Sequence, residues 1–120
     1  SPHLLRVNEI TITKECATYQ STNAWRGHAT VTVSDSSGLP APDAVVSGKW
    51  FYWGYNSTDQ KWMWIGLNDD QFVIDATGTG VTTSNWYWSD TLFAFSVADV
   101  TKSKCEYDAG GSVQTRYISR

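Results

Sequence analysis

The sequence contains no apolar run approaching the roughly 20 residues that a membrane-spanning helix needs, so no membrane insertion is expected. Charge is sparse as well. Lys, Arg, Asp and Glu make up only 18% of the chain, and its nine basic residues are scattered over a net charge of -3. No positive stripe exists to neutralise a phosphate backbone, and nucleic acid is not an expected partner. The two histidines, His3 and His28, stand far apart, with His28 at a solvent-facing position, and no spacing sets a histidine beside a nucleophile. No catalytic residue is expected. Asp35, Asp43, Asp69, Asp70, Asp75 and Asp99 fall mostly in turns, where Asp caps its own backbone. Their spacing matches no regular calcium loop, so neither metal nor cofactor is expected. The N-terminus has no charged segment followed by a short apolar stretch, so any signal peptide is expected to have been removed already.

Aromatic residues, by contrast, make up 14% of the chain, with seven Trp among its 120 residues. That composition folds, and the length suits a single domain spanning residues 1–120. No stretch of ten residues carries apolar side chains at helical spacing, whereas short alternating β-branched and aromatic runs recur between turn residues. Strands are expected at 4–14, 24–33, 44–53, 61–67, 71–76, 81–86 and 91–100, with short last stretches at 104–107 and 113–119. Asn68-Asp69-Asp70 is read as a turn between the fourth and fifth. Seven to eight short strands separated by turns every 8–12 residues or so describe an all-β fold, a two-sheet antiparallel sandwich.

Three segments carry a family resemblance: ATVTVSDSSGLPAPDAVVSGKW at 29–50, DATGTG at 75–80 and FAFSVADVTKSKCEYDAG at 93–110. Together they resemble the immunoglobulin-like or fibronectin III-like accessory domains of secreted bacterial proteases and surface proteins. The resemblance implies a turn at Gly38-Leu39-Pro40, a core in which Val46, Gly48 and Trp50 face Phe93, Phe95 and Val97, and a non-catalytic role as spacer, adhesion or binding module. The chain departs from the family pattern in the Trp-rich stretch from Trp50 to Trp64. Cys16 and Cys105 also do not occupy the positions of an inter-sheet immunoglobulin bridge.

Those two cysteines lie in segments read as the first and last strands, which are often neighbours in a sandwich. A bridge between them would close a loop of about 90 residues and contribute about 4 kcal/mol in the chain-entropy model. The alternative is two separate buried thiols. Asn56-Ser57-Thr58 is an N-glycosylation sequon in a polar stretch between aromatic strands. Bridge and sequon both suggest a secreted, extracellular protein.

Strand alternation then sorts the aromatics. If Trp50 faces inward, Lys49, Phe51 and Trp53 face outward; if Met63, Ile65 and Leu67 face inward, Trp62 and Trp64 do not. Phe51, Trp53, Trp62 and Trp64 are thus expected as one outer patch, to be covered by a neighbouring subunit, by a sugar polymer stacked on the rings, or by a loop or terminal strand of the same chain. Trp86 and Trp88 carry the same ambiguity with less context. In the first strand, Leu5 and Val7 share one parity while Ile10 and Ile12 have the other. A bulge or a strand that changes sheets explains this slip within one molecule. An exchanged arm explains it between molecules, with residues 1–8 carrying Leu4, Leu5 and Val7 into the next copy and building a filament head to tail. Assembly with copies of itself is the first functional expectation. A carbohydrate-binding module, with polysaccharide stacked on the patch and Lys49, Lys61, Asn56 and Gln60 supplying polar contacts, is the second.

Overall fold

Alternation turns into a buried face along β2 (Thr22–Asp35), where Gly27, Ala29, Val31 and Val33 are all buried and Thr30 between them is exposed. The computed structural model describes residues 3–112 and 115–118. Its other strands are β1 (His3–Tyr19), β3 (Val45–Asn56), β4 (Lys61–Val73), β5 (Thr79–Thr83), β6 (Phe93–Thr101), β7 (Cys105–Tyr107) and β8 (Thr115–Ile118). They form two four-stranded sheets, ordered β5-β2-β1-β7 and β4-β3-β6-β8. The protein is an all-β sandwich. One pairing departs from the antiparallel expectation: β7 runs parallel to the start of β1, with Cys105 opposite His3.

The core lies between the sheets. Trp50, Phe93, Phe95, Leu5, Val7, Val31, Val33, Val46 and Val100 are among its fully buried side chains. Trp50 packs on Phe95 at 5.2 Å between ring centroids, and its indole nitrogen donates to Thr82 Oγ1 at 3.1 Å. The Thr82 hydroxyl in turn donates to the Asp70 carboxylate. On the opposite wall Gly27 leaves the room that Trp50 fills, since a Cβ there would stand 2.5 Å from Trp50 Cζ3. Gly48 does the same for the Phe95 ring. Two turns use one device: Asp35 Oδ1 accepts from the backbone N–H of Ser37 and Leu39, and Asp75 Oδ1 from those of Thr77 and Thr79. Gly38 and Gly78 then supply the left-handed residue, at φ 83° and 86°.

Several expectations are corrected. Asn68-Asp69-Asp70 is not a turn but lies within β4, which passes through a bulge at Leu67 while Asn68 pairs with Trp50 and Asp70 with Gly48. Two polar side chains there have partners outside their own sheet: Asp70 takes the hydroxyl of Thr82 in β5, and Asn68 Oδ1 accepts from Asn85 N in the loop that follows. Of the arm at 1–8, residues 3–8 are described, and 3–7 pair within this chain. Leu5 and Val7 are 0% and 1% exposed and pair with Asp35 and Val33 of the same chain; Leu4 is half-buried. The parity slip is a bulge at Asn8, whose Nδ2 donates to Ser34 Oγ at 2.8 Å, and the extra residue lets Leu5, Val7, Ile10 and Ile12 all point inward. Ser1 and Pro2 lie outside the described residues.

The cysteine bridge is overturned as well, because both thiols are free. Cys105 pairs with His3 at one end of β1, while Cys16 pairs with Trp25 thirteen residues farther along the same strand. At 3.3 Å per residue that separation is about 40 Å, far beyond the roughly 7 Å between Cα atoms that a disulfide tolerates.

Three outcomes follow from this packing. Gly27→Ala should destabilise by about 1–3 kcal/mol through overpacking against Trp50, and Trp50→Ala by about 3–5 kcal/mol, both read from urea unfolding. Native protein should take up two equivalents of a maleimide over time, Cys16 first because it is exposed, and Cys16→Ser should leave the urea midpoint in place. The third outcome is a pH dependence. Asp108 is held below the ordinary carboxylate range by Arg6, whose Nε lies 2.8 Å away, and by the Gly111 N–H. Glu15 is lowered by Arg26 and then His28, and Asp75 by the Thr77 hydroxyl and backbone N–H groups. A depressed acid contributes stability that is complete above its unfolded value and lost as pH falls toward its folded one. The melting temperature should therefore fall below about pH 4. Asp108→Asn should lower it at neutral pH and flatten that acid decline.

Candidate functional site

On the outer face of the β4-β3-β6-β8 sheet the registers Tyr55↔Trp62, Trp53↔Trp64 and Phe51↔Gly66 set the aromatic side chains in rungs. Trp53 and Trp64 meet edge to face, with centroids 5.2 Å apart and planes at 74°; Tyr55 and Trp62 do so at 5.8 Å and 71°. Such pairs favour this geometry because a ring's positive edge meets the negative face of its neighbour. The four aromatics singled out from sequence therefore share one face. Trp62 is 61% exposed, while Phe51, Trp53 and Trp64 are half-buried. Tyr55, 53% exposed, completes the ladder. The same alternation that selected Trp53 would have found it had the third strand been carried two residues further.

The loop at 84–92 builds a wall beside this ladder. Its middle is anchored on both sheets: Tyr87 and Trp25 exchange two backbone hydrogen bonds of 2.7 Å, and the Tyr87 ring stacks on Tyr52 at 4.1 Å. Burial and the neighbouring Tyr52 raise the Tyr87 hydroxyl pKa, so the phenol stays neutral. At one end the Arg26 guanidinium lies 4.2 Å from the Trp86 ring centre while its Nε donates to Glu15 at 2.8 Å. His28 Nε2 shares the same Glu15 oxygen. At the other end Lys14 bonds Asp90 at 2.6 Å and the Thr91 carbonyl at 3.3 Å. Trp53 N–H donates to the Leu92 carbonyl, and the Thr91 hydroxyl donates to the Trp53 carbonyl.

Between wall and ladder runs a groove of about 550 Å³, lined by Trp53, Gly54, Tyr55 and Trp62 on one side and by Tyr87, Trp88, Ser89, Asp90, Thr91 and Leu92 on the other. Trp88 is 74% exposed at its rim. Because Trp53 turns its N–H toward the loop, Tyr55, two residues on, turns its own N–H and C=O to the same side. The groove thus combines ring faces with a carboxylate, hydroxyls and main-chain polar groups. Sequence reading missed Ser89, Asp90 and Thr91, since nothing in the local pattern brings that loop to β3.

The polar residues expected from sequence are placed differently. Lys49 Nζ lies 5.6 Å from the Phe51 ring centre, and Lys61 and Gln60 are exposed at the β3–β4 turn. Asn56 turns its side chain into that hairpin: Oδ1 accepts from Thr58 N and Asp59 N, and Nδ2 lies 3.3 Å from Met63 Sδ. The sequon therefore occupies a surface turn, with Ser57 and Thr58 exposed and Asn56 half-buried. Leu5 and Val7 belong to the core and are separate from this face. Among the described residues no three His, Cys, Asp or Glu side chains are grouped so as to hold a metal ion, and no helix is long and apolar enough to cross a membrane. Compared with protein-family models, curated proteins and solved structures, the chain matches none, and the reading of the site rests on its own geometry.

Proposed function

We propose that this domain is a non-catalytic, extracellular carbohydrate-binding module whose site is the groove between the aromatic ladder and the loop at 84–92. The observation that carries this reading is the meeting of Trp53, Tyr55, Trp62 and Trp88 with Ser89, Asp90 and Thr91 in one concave site. A sugar ring has apolar C–H faces and a rim of hydroxyls. It is held by stacking on aromatic faces while a few fixed polar groups take the hydroxyls. Sequence alone offered Lys49, Lys61, Asn56 and Gln60 for that role; in the groove it is the loop residues Ser89, Asp90 and Thr91 that stand beside the rings. The wall is also anchored by Lys14, Arg26 and Tyr87, so little conformational freedom is lost on binding.

The rival reading, head-to-tail assembly by exchange of residues 1–8, ranks second, because exchange would draw Leu5 and Val7 out of this domain's own core. Kinship with immunoglobulin-like or fibronectin III-like domains is part of the same proposal, supported by two sheets between which the chain crosses after β2, β4, β5, β6 and β7. The sequon at Asn56 accords with an extracellular setting; with the bridge gone, the cysteines say nothing about location.

Affinity electrophoresis in gels carrying soluble polysaccharides tests the proposal. Wild-type protein should be retarded by at least one neutral polysaccharide, and Trp62→Ala and Trp88→Ala should each weaken retention about tenfold. Both side chains are exposed, so melting temperatures should stay close to wild type. Sedimentation should show a monomer as concentration rises. Filaments, or a double variant retarded as strongly as wild type, would return assembly to first place.

A further inference from the structure

The same outer face carries a second concavity, a cup of about 250 Å³ formed by Phe51, Trp64, Ala94, Ser96 and Thr115. It exists because the outward residues of β6 beside Phe51 and Lys49 are small: Ala94 pairs with Phe51 and Ser96 with Lys49. The aromatic rings on β3 and β4 therefore stand as walls over a low floor. That floor is polar at one side, where Thr115 Oγ1 donates to Ser96 Oγ at 3.0 Å. Groove and cup are joined through one aromatic pair. Trp53 lines the groove and Trp64 lines the cup, and the two rings touch edge to face. Along β3 the rungs at Phe51, Trp53 and Tyr55 are spaced by about 7 Å each, so the two concavities lie in line along the strand.

Charge narrows the ligand. Among the described residues, the linings of groove and cup hold one carboxylate, Asp90, and neither includes a Lys or Arg. Lys14 is bonded to Asp90 with its side chain mostly covered, and Lys49 lies over Phe51. An anionic polymer would find no guanidinium or ammonium among these described lining residues and would meet Asp90. A neutral one loses nothing there and offers hydroxyls to Asp90, Ser96 and Thr115.

We infer that the cup is a second sugar subsite and that the ligand is an extended, uncharged polysaccharide chain lying along β3, with one unit in the groove and a later unit in the cup. This rests on the carbohydrate-binding reading and adds the polymer's charge and its path.

Calorimetric titration with neutral oligosaccharides of graded length (cello- and manno-oligosaccharides) and with oligogalacturonates of matching length tests it. Affinity for a neutral series should rise about tenfold once the chain spans both concavities, and the oligogalacturonates should bind far more weakly. Ala94→Leu fills the cup and should abolish the gain from length while leaving short-chain affinity unchanged. Phe51→Ala removes a wall from the other strand, should do the same, and decides the matter if Ala94→Leu does not fold. If the gain from length survives in a folded cup variant, the second subsite is wrong and the groove reading stands. If oligogalacturonates bind as tightly as neutral chains, the uncharged class is wrong. If no oligosaccharide of either kind binds, the carbohydrate-binding reading falls and takes this inference with it.

Discussion

Everything on the outer face depends on the burial of Trp50. The ring is fully enclosed, flanked by Phe95 from its own sheet and by the gap at Gly27 in the other. A buried indole N–H without an acceptor would carry a desolvation cost of about 1–3 kcal/mol. Thr82 accepts it and donates its own O–H to the Asp70 carboxylate. That relay ties β3, β5 and β4 together across the core and fixes the orientation of β3. Once Trp50 points inward, the period of two leaves Phe51, Trp53 and Tyr55 no choice but to point outward.

Where the outward residues of β4 fall against them is decided by the bulge at Leu67. Without the extra residue, the strand that puts Trp62 and Trp64 on the outer face would also send Asn68 outward and Asp70 with it. With it, the same strand presents two Trp outside at one end and the acceptors for Thr82 and Asn85 inside at the other. A second bulge at Asn8 does comparable work in β1, and a third at Ala98 in β6 lets Val97 and Val100 both reach the core. Each insertion serves the inner face first. The outer ladder is a consequence.

The loop at 84–92 converts that ladder from a surface into a groove. Its hold is distributed over both sheets: Lys14 and Arg26 reach it from β1 and β2, Tyr52 and Trp53 from β3. Individually these contacts are modest, because exposed ion pairs are worth about 0–1 kcal/mol. Collectively they set the wall at one distance from the aromatic rungs, and that distance gives the face its concavity.

The sequence by itself determined the all-β class, the buried stripes of β2, β3 and β6, and the shared outward face of Phe51, Trp53, Trp62 and Trp64. These follow from alternation within single strands, a short-range property that a neighbour cannot change without exposing the core. Alternation also disclosed the slip after Val7, though it could not distinguish a bulge from an exchanged arm. Only the tertiary structure decided that Asn8 absorbs the slip, that Asn68 to Asp70 continue a strand, that Cys16 and Cys105 lie at opposite ends of β1, and that Ser89, Asp90 and Thr91 stand beside Tyr55. Each of these depends on which segments pair and in what register. Asp and Asn favour turns when they stand alone, and only a partner such as Thr82 in the facing sheet makes a strand position the better place for Asp70.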